Sequence, residues 1–77
     1  MAVVRYFAAA EEAAGRAVEN RGEADVAALR AALVTSYPRF AALLPRCALL
    51  VDGRRADGEV ELGPETIVDI LPPFAGG

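Results

Sequence analysis

The sequence predicts a single α+β domain on three observations. A β-branched and aromatic run stands near each end, one long apolar stripe at helical spacing lies between them, and Asp-Gly and Gly-Pro turn signals divide the remainder. With 77 residues, 55% hydrophobic and 25% charged, the chain has the balance of a small folded domain and not of a disordered segment. A domain of this size buries only about 60% of its unfolded surface, so marginal stability and docking surfaces are expected.

Val3, Val4, Tyr6 and Phe7, interrupted by Arg5, read as the first strand. Ala8 to Ala14 changes to strong helix formers and stops at Gly15, which predicts a connector of one or two helical turns. Arg16 to Arg21 reads as a second strand with Ala17 and Glu19 on one side and Val18 on the other, ending at Gly22. Asp25 is placed as an N-cap, and Val26, Leu29, Leu33 and Tyr37 then recur as one stripe of the main helix. Pro38 disfavours helical geometry at Tyr37 and ends it.

Phe40, Leu43 and Leu44 read as an irregular turn laid over the end of the core, closing at Pro45. Cys47 to Val51 is a continuous apolar run that suits a central strand, and Asp52-Gly53 after it favours a tight hairpin turn. Ala56 to Glu61, with a second Asp-Gly pair at Asp57-Gly58, reads as a short strand, and Gly63-Pro64 turns the chain into the last strand, Thr66 to Leu71. Pro72-Pro73 cannot donate to a ladder, so the division is a domain over 1–71 and a flexible tail over 72–77. The order of two strands, one long helix and two or three strands predicts a mixed sheet of four to five strands with the helix on one face. That is the β-grasp arrangement; a ferredoxin-like fold needs a second full helix, and the chain has no second stripe.

Charge narrows the function. Eight basic residues against eleven acidic ones give −3, a poor match to a phosphate backbone, so no nucleic-acid partner is expected. All eight are Arg, so no side-chain amine is available for acylation or a Schiff base. With no His and only Cys47, the chain offers no multi-ligand N/S metal site, no His-based triad and no disulfide. Its start lacks a basic region followed by a long apolar one, and no run approaches ~18 apolar residues, so a cytoplasmic protein with no membrane span is expected. Cys47, opening an apolar strand, reads as a core residue and not a sulfur relay. Glu11, Glu12, Arg54 and Arg55 read as solvated. Leu49 or Val51 together with Leu71 would form a docking patch if they point away from the helix.

The closing segment Leu71-Pro72-Pro73-Phe74-Ala75-Gly76-Gly77 carries the chemistry. Two glycines without Cβ atoms make a tip thin enough to thread a tunnel, while Pro-Pro gives a stiff stem and Phe74 an aromatic anchor. With Gly near 7% of residues, such a pair at a given place arises by chance in about one chain in 200. A tail of this kind suits delivery of its own carboxylate. Were that carboxylate adenylated, a sulfur nucleophile would meet an unhindered carbonyl and leave a thiocarboxylate on the main chain.

Three stretches together carry a family resemblance: Val4-Arg5-Tyr6-Phe7-Ala8-Ala9 with Glu11-Glu12 and Ala14-Gly15; Val26 to Leu33 followed by Tyr37-Pro38; and the terminal Leu71 to Gly77. Across nearly its whole length the chain resembles the ubiquitin-like sulfur carriers, and among them the small subunit of molybdopterin synthase. The resemblance implies a β-grasp fold with first and last strands paired in parallel. It also implies that Gly77 is activated as an acyl-adenylate by a ubiquitin-activating-like enzyme using ATP and then receives sulfur from a donor protein, with Gly76 needed for passage. The tail then enters the synthase large subunit in a heterotetramer, where its sulfur builds the dithiolene that later holds molybdenum. Leu71, Pro73, Phe74 and Ala75 fall at its partner-binding positions, and no cofactor or metal is bound by the carrier itself. Phe74 and Ala75 stand where many members have Val and Ser or Thr, and Asp52-Gly53-Arg54-Arg55 replaces an Asn-Gly-Glu type of turn. Carriers for thiamine, cysteine or thiolated tRNA, and ubiquitin-like protein modifiers, remain the alternatives. The Ala8 to Ala14 connector argues against the shorter thiamine carriers.

Overall fold

The computed structural model describes residues 1–56 and 60–73. Its elements are β1 (Ala2–Tyr6), α1 (Ala9–Ala14), β2 (Val18–Arg21), α2 (Val26–Ser36), α3 (Phe40–Leu43), a 3-10 turn (Leu44–Arg46), β3 (Ala48–Val51), β4 (Arg54–Arg55) and β5 (Ile67–Leu71). The five strands form one sheet in the order β2-β1-β5-β3-β4. β1 and β5 run parallel, with Val3 opposite Ile67 and Tyr6 opposite Ile70, as the resemblance implies. The other pairings are antiparallel. No helix among the described residues is long and apolar enough to cross a membrane.

The helices cover one face of this sheet. Val4 and Tyr6 from β1, Leu49 from β3, and Val68 and Ile70 from β5 meet Val26, Leu29 and Leu33 of α2 in a core from which water is almost wholly excluded. Each such side chain contributes on the order of 1.5–3 kcal/mol of apolar burial. Asp25 caps α2 as expected, its Oδ1 accepting the Ala28 N–H at 2.7 Å. Tyr37 takes the C-cap position, donating its N–H to Leu33 at 2.8 Å before Pro38 turns the chain away. α1 buries Ala10 and Ala14 and ends at Gly15 in the left-handed region, φ 74°.

Two segments differ from the sequence reading. The stretch from Phe40 is helical, as α3 running into the 3-10 turn, and Phe40 is fully buried against Tyr6 (ring centroids 5.9 Å apart) and Tyr37 (6.1 Å). Pro38 precedes it and Pro45 sits in the first turn of the 3-10 segment, where a proline costs no bond that the helix would have made. The second difference lies after β3. Asp52 and Gly53 both have positive φ, 49° and 84°, which is the type I′ geometry that returns the chain immediately into pairing. The hairpin partner is therefore Arg54–Arg55, and among the described residues no strand forms over Ala56 to Glu61. Instead Val60 accepts from the Val26 N–H and Leu62 donates to Ala24, both at 2.9 Å, with Glu61 bridged to Asp25. This pins the crossing segment beside the start of α2. The Asp57-Gly58 turn lies outside the described residues.

Candidate functional site

The tail begins at the middle of the sheet. β5 is flanked by β1 and β3, and the Phe7 N–H donates to the Ile70 carbonyl at 3.2 Å while Ala48 faces Leu71, so pairing on both sides continues to the end of the strand. Pro72 is buried beside it and Pro73 is exposed. Neither has an N–H with which to prolong a ladder. Phe74, Ala75, Gly76 and Gly77, which hold the expected chemistry, lie outside the described residues; Leu71 and Pro73 fix where their segment is attached.

The sheet face away from the helices is the surface around that attachment point. Strand alternation places Val18 of β2, Val3 and Arg5 of β1, Ile67, Asp69 and Leu71 of β5, and Leu50 of β3 on it. Val18 is 54% exposed, and Ile67 and Phe7 are each 39% exposed, unusual values for side chains of this kind in so small a domain. Between them Arg5 grips Asp69 with both ends of its fork, Nε–Oδ1 at 2.5 Å and Nη2–Oδ2 at 2.8 Å. The hydrogen bond to Asp69, and then its charge, raises the Arg5 pKa further above its ordinary value. The same guanidinium sits 5.9 Å from the centre of the Phe7 ring. A cross-strand ion pair with an apolar rim gives this face a fixed orientation as well as stickiness.

Leu71 points to the open face, but Leu49 and Val51 do not. The β3–β5 register sets Leu49 opposite Ile70 and Val51 opposite Val68, and Val68 and Ile70 belong to the core, so both β3 residues follow them inward. Ala48 and Leu50 are the β3 side chains that face out, opposite Leu71 and Asp69, and which face they take follows from the β3–β5 register. Sequence reading also missed Arg5, Val18, Ile67 and Asp69, because their shared face becomes visible only once β1 and β5 are known to run parallel and in register. Cys47 sits in the core, its thiol donating to the Leu43 carbonyl at 3.4 Å, and burial pushes its pKa up, which keeps it protonated and inert. Glu11, Glu12, Arg54 and Arg55 are exposed.

A mixed β-grasp sheet whose central parallel strand runs out through Pro-Pro toward a terminal Gly-Gly defines the ubiquitin-like carriers and modifiers as a class. Within that class the chain belongs to the ThiS family, whose pattern matches residues 4–77. Similar solved structures include a Pyrococcus furiosus protein assigned as subunit 1 of a molybdopterin converting factor, with TM-score 0.82 and 24% identity over 95% of this chain and 97% of that one. The small archaeal modifier protein 1 of Methanosarcina acetivorans has TM-score 0.84 and 23% identity over 99% and 95%. A complex of subunits 1 and 2 of the molybdopterin-converting factor of Helicobacter pylori has TM-score 0.71 and 22% identity over 99% and 97%. At these identities the likeness establishes the shared fold. No curated protein matches the sequence.

Proposed function

We propose that this protein is the sulfur-carrying small subunit of a cytoplasmic molybdopterin synthase and that it holds its sulfur as a thiocarboxylate on Gly77. The observation that carries the reading is the Pro72-Pro73-Phe74-Ala75-Gly76-Gly77 tail on a ThiS-family domain, attached at the end of the sheet's central strand. An adenylating enzyme supplies ATP; the Gly77 carboxylate attacks its α-phosphorus and pyrophosphate leaves. Sulfur at the sulfide level, delivered by a donor protein as hydrosulfide, then attacks the acyl carbon; the acyl C–O bond breaks, and AMP leaves with that oxygen and its electron pair. The open face around Arg5, Ile67 and Leu71 docks the large subunit, while Pro73, Phe74 and Ala75 guide Gly76 and Gly77 into its active site. The likeness to a subunit in a two-subunit converting-factor complex supports this partner.

The chain's own residues supply the arm and the docking face; acid-base groups for the acceptor come from the large subunit. Likeness to a small archaeal modifier protein favours a second reading, attachment of Gly77 to amines of other proteins. Intact mass of the protein purified from its own cells separates the two. One terminal oxygen exchanged for sulfur, lost on treatment with a thiol-alkylating reagent followed by hydrolysis, is the expected result. Protein found only unmodified or in amide-linked conjugates, with the adenylating enzyme and ATP supplied, overturns it. Removal of Gly76-Gly77 should leave the fold intact and abolish sulfur transfer.

A further inference from the structure

The acidic residues of this protein are unevenly placed. From Val26 to Val51, through α2, α3, the 3-10 turn and β3, there is no Asp or Glu, and Arg30, Arg39 and Arg46 give that segment +3 against −6 for the remainder, which together make the −3 of the whole chain. The segment carrying α2 and α3 is thus positive in an acidic molecule. Among the described residues every ion pair uses Arg5, Arg16 or Arg21, so none of these three arginines is in one.

In that segment a groove of about 270 Å³ runs between α2 and α3 with its 3-10 extension, lined by Arg30, Ala31, Val34, Ala41, Leu44 and Pro45. It exists because Ala31 and Ala41 are too short to meet across the gap between the helices, which leaves Val34 and the buried Leu44 as its floor. Arg30 lies in its wall, and Arg46 follows Pro45 directly. The volume falls below the ~300–1,000 Å³ typical of small-molecule pockets and suits one large apolar side chain with its backbone.

We propose that this groove docks a segment of a partner protein in which an apolar side chain is followed by carboxylates: the apolar group on Val34 and Leu44, the carboxylates on Arg30 and Arg46. Guanidinium forks match carboxylates in both geometry and charge, and a basic segment meets only like charge here. The groove lies on the face opposite Arg5, Ile67 and Leu71, so the carrier can hold a second protein while its sheet face is occupied. This site is independent of the thiocarboxylate.

The test is a titration of the isotope-labelled full chain, followed by backbone amide shifts, with the capped peptide Gly-Phe-Asp-Glu-Asp and its neutral counterpart Gly-Phe-Asn-Gln-Asn. The acidic peptide should give saturable shifts at millimolar concentration in Arg30, Val34, Leu44 and Arg46 and leave Val18 and Ile67 unmoved, while the neutral one binds at least tenfold more weakly. Arg30→Gln with Arg46→Gln should weaken binding, and Arg30→Glu with Arg46→Glu should abolish it, whereas Arg54→Glu leaves it intact; the same spectra verify that each variant is folded. Equal binding of both peptides, shifts centred on the sheet face, or no saturable shift overturns the proposal. A chain ending at Pro73 should show unchanged groove amides; if these move, the protein's own tail is the occupant and the proposal also falls.

Discussion

Val18 is the only strong strand former in β2, yet it faces solvent, and its neighbour Glu19 makes the contacts that hold the strand. The Glu19 carboxylate accepts from the Tyr6 hydroxyl and, at 2.9 and 3.0 Å, from the Tyr37 hydroxyl, tying β2 to β1 and to the end of α2. Arg16 at 3.3 Å and Arg21 at 3.5 Å complete its shell. Burial first, and then the hydrogen bond and charge of Glu19, raise the Tyr6 pKa far above its ordinary 10.0. In the unfolded chain Tyr6 loses its proton near pH 10, while in the folded protein it keeps it. Above pH 10 the unfolded state therefore binds fewer protons, and stability falls as pH rises. Cys47, raised by burial from 9.0, adds a loss of the same sign that begins about one unit lower. Tyr6→Phe should cost about 1–2 kcal/mol at pH 7 through the lost hydrogen bond. That deficit should shrink above pH 10, where the wild type loses what the variant lacks. Urea titrations at pH 7, 9 and 11 measure it, and a deficit independent of pH would sink this account.

At the scale of elements, α3 shows where sequence periodicity stops being informative. A four-residue helix spans barely one turn, too short to display a stripe, so Phe40, Leu43 and Leu44 read equally well as a turn. Its importance comes from tertiary packing: the buried Phe40 completes a triangle with Tyr6 and Tyr37, whose own rings meet edge to face at 6.3 Å. Phe40→Ala should cost about 3–5 kcal/mol, a large fraction of what a domain of this size possesses, and should lower its urea midpoint steeply. A loss below about 1 kcal/mol would mean that the aromatic cluster can close over the gap. By contrast β1, α2 and β5 were legible because each carries its own local signature: branched and aromatic runs, an Asp cap with a stripe, and a Pro-Pro stop. The Asp52-Gly53 turn was legible as well, yet the inward facing of Leu49 and Val51 was not, because the turn fixes only the β3–β4 register and the face β3 presents depends on its register with β5. The arm of the candidate site could be read from residues 71–77 directly. Its docking face could not, since Arg5 and Asp69 are separated by 64 positions and meet only through the parallel pairing of β1 with β5.

For the molecule as a whole, that same parallel pairing separates the two ends of the 77-residue chain. By its register Met1 lies level with Glu65, eight positions before Pro73, or about 26 Å along the strand direction. Four residues beyond Pro73 reach at most about 13–14 Å. The sequence has no lysine, and an α-amine at Met1 stands out of reach of an activated Gly77 on the same molecule. A carrier whose carboxyl is held as an adenylate or thioester is protected in this way from acylating itself, a hazard that any nearby ε-amine would create. The prediction is tested with the chain prepared as a C-terminal thioester and kept dilute at pH 8. Intact mass should show hydrolysis alone, with water adding to the Gly77 carbonyl as the thiol leaves. Ala48→Lys places an amine directly opposite Leu71, two residues before Pro73. That variant should instead lose its thiol without gaining water, as the new Nζ attacks the Gly77 carbonyl and forms an internal amide. A cyclised product from the wild type would show that the ends do meet, and an Ala48→Lys chain that only hydrolyses would show that the tail does not reach back to β3.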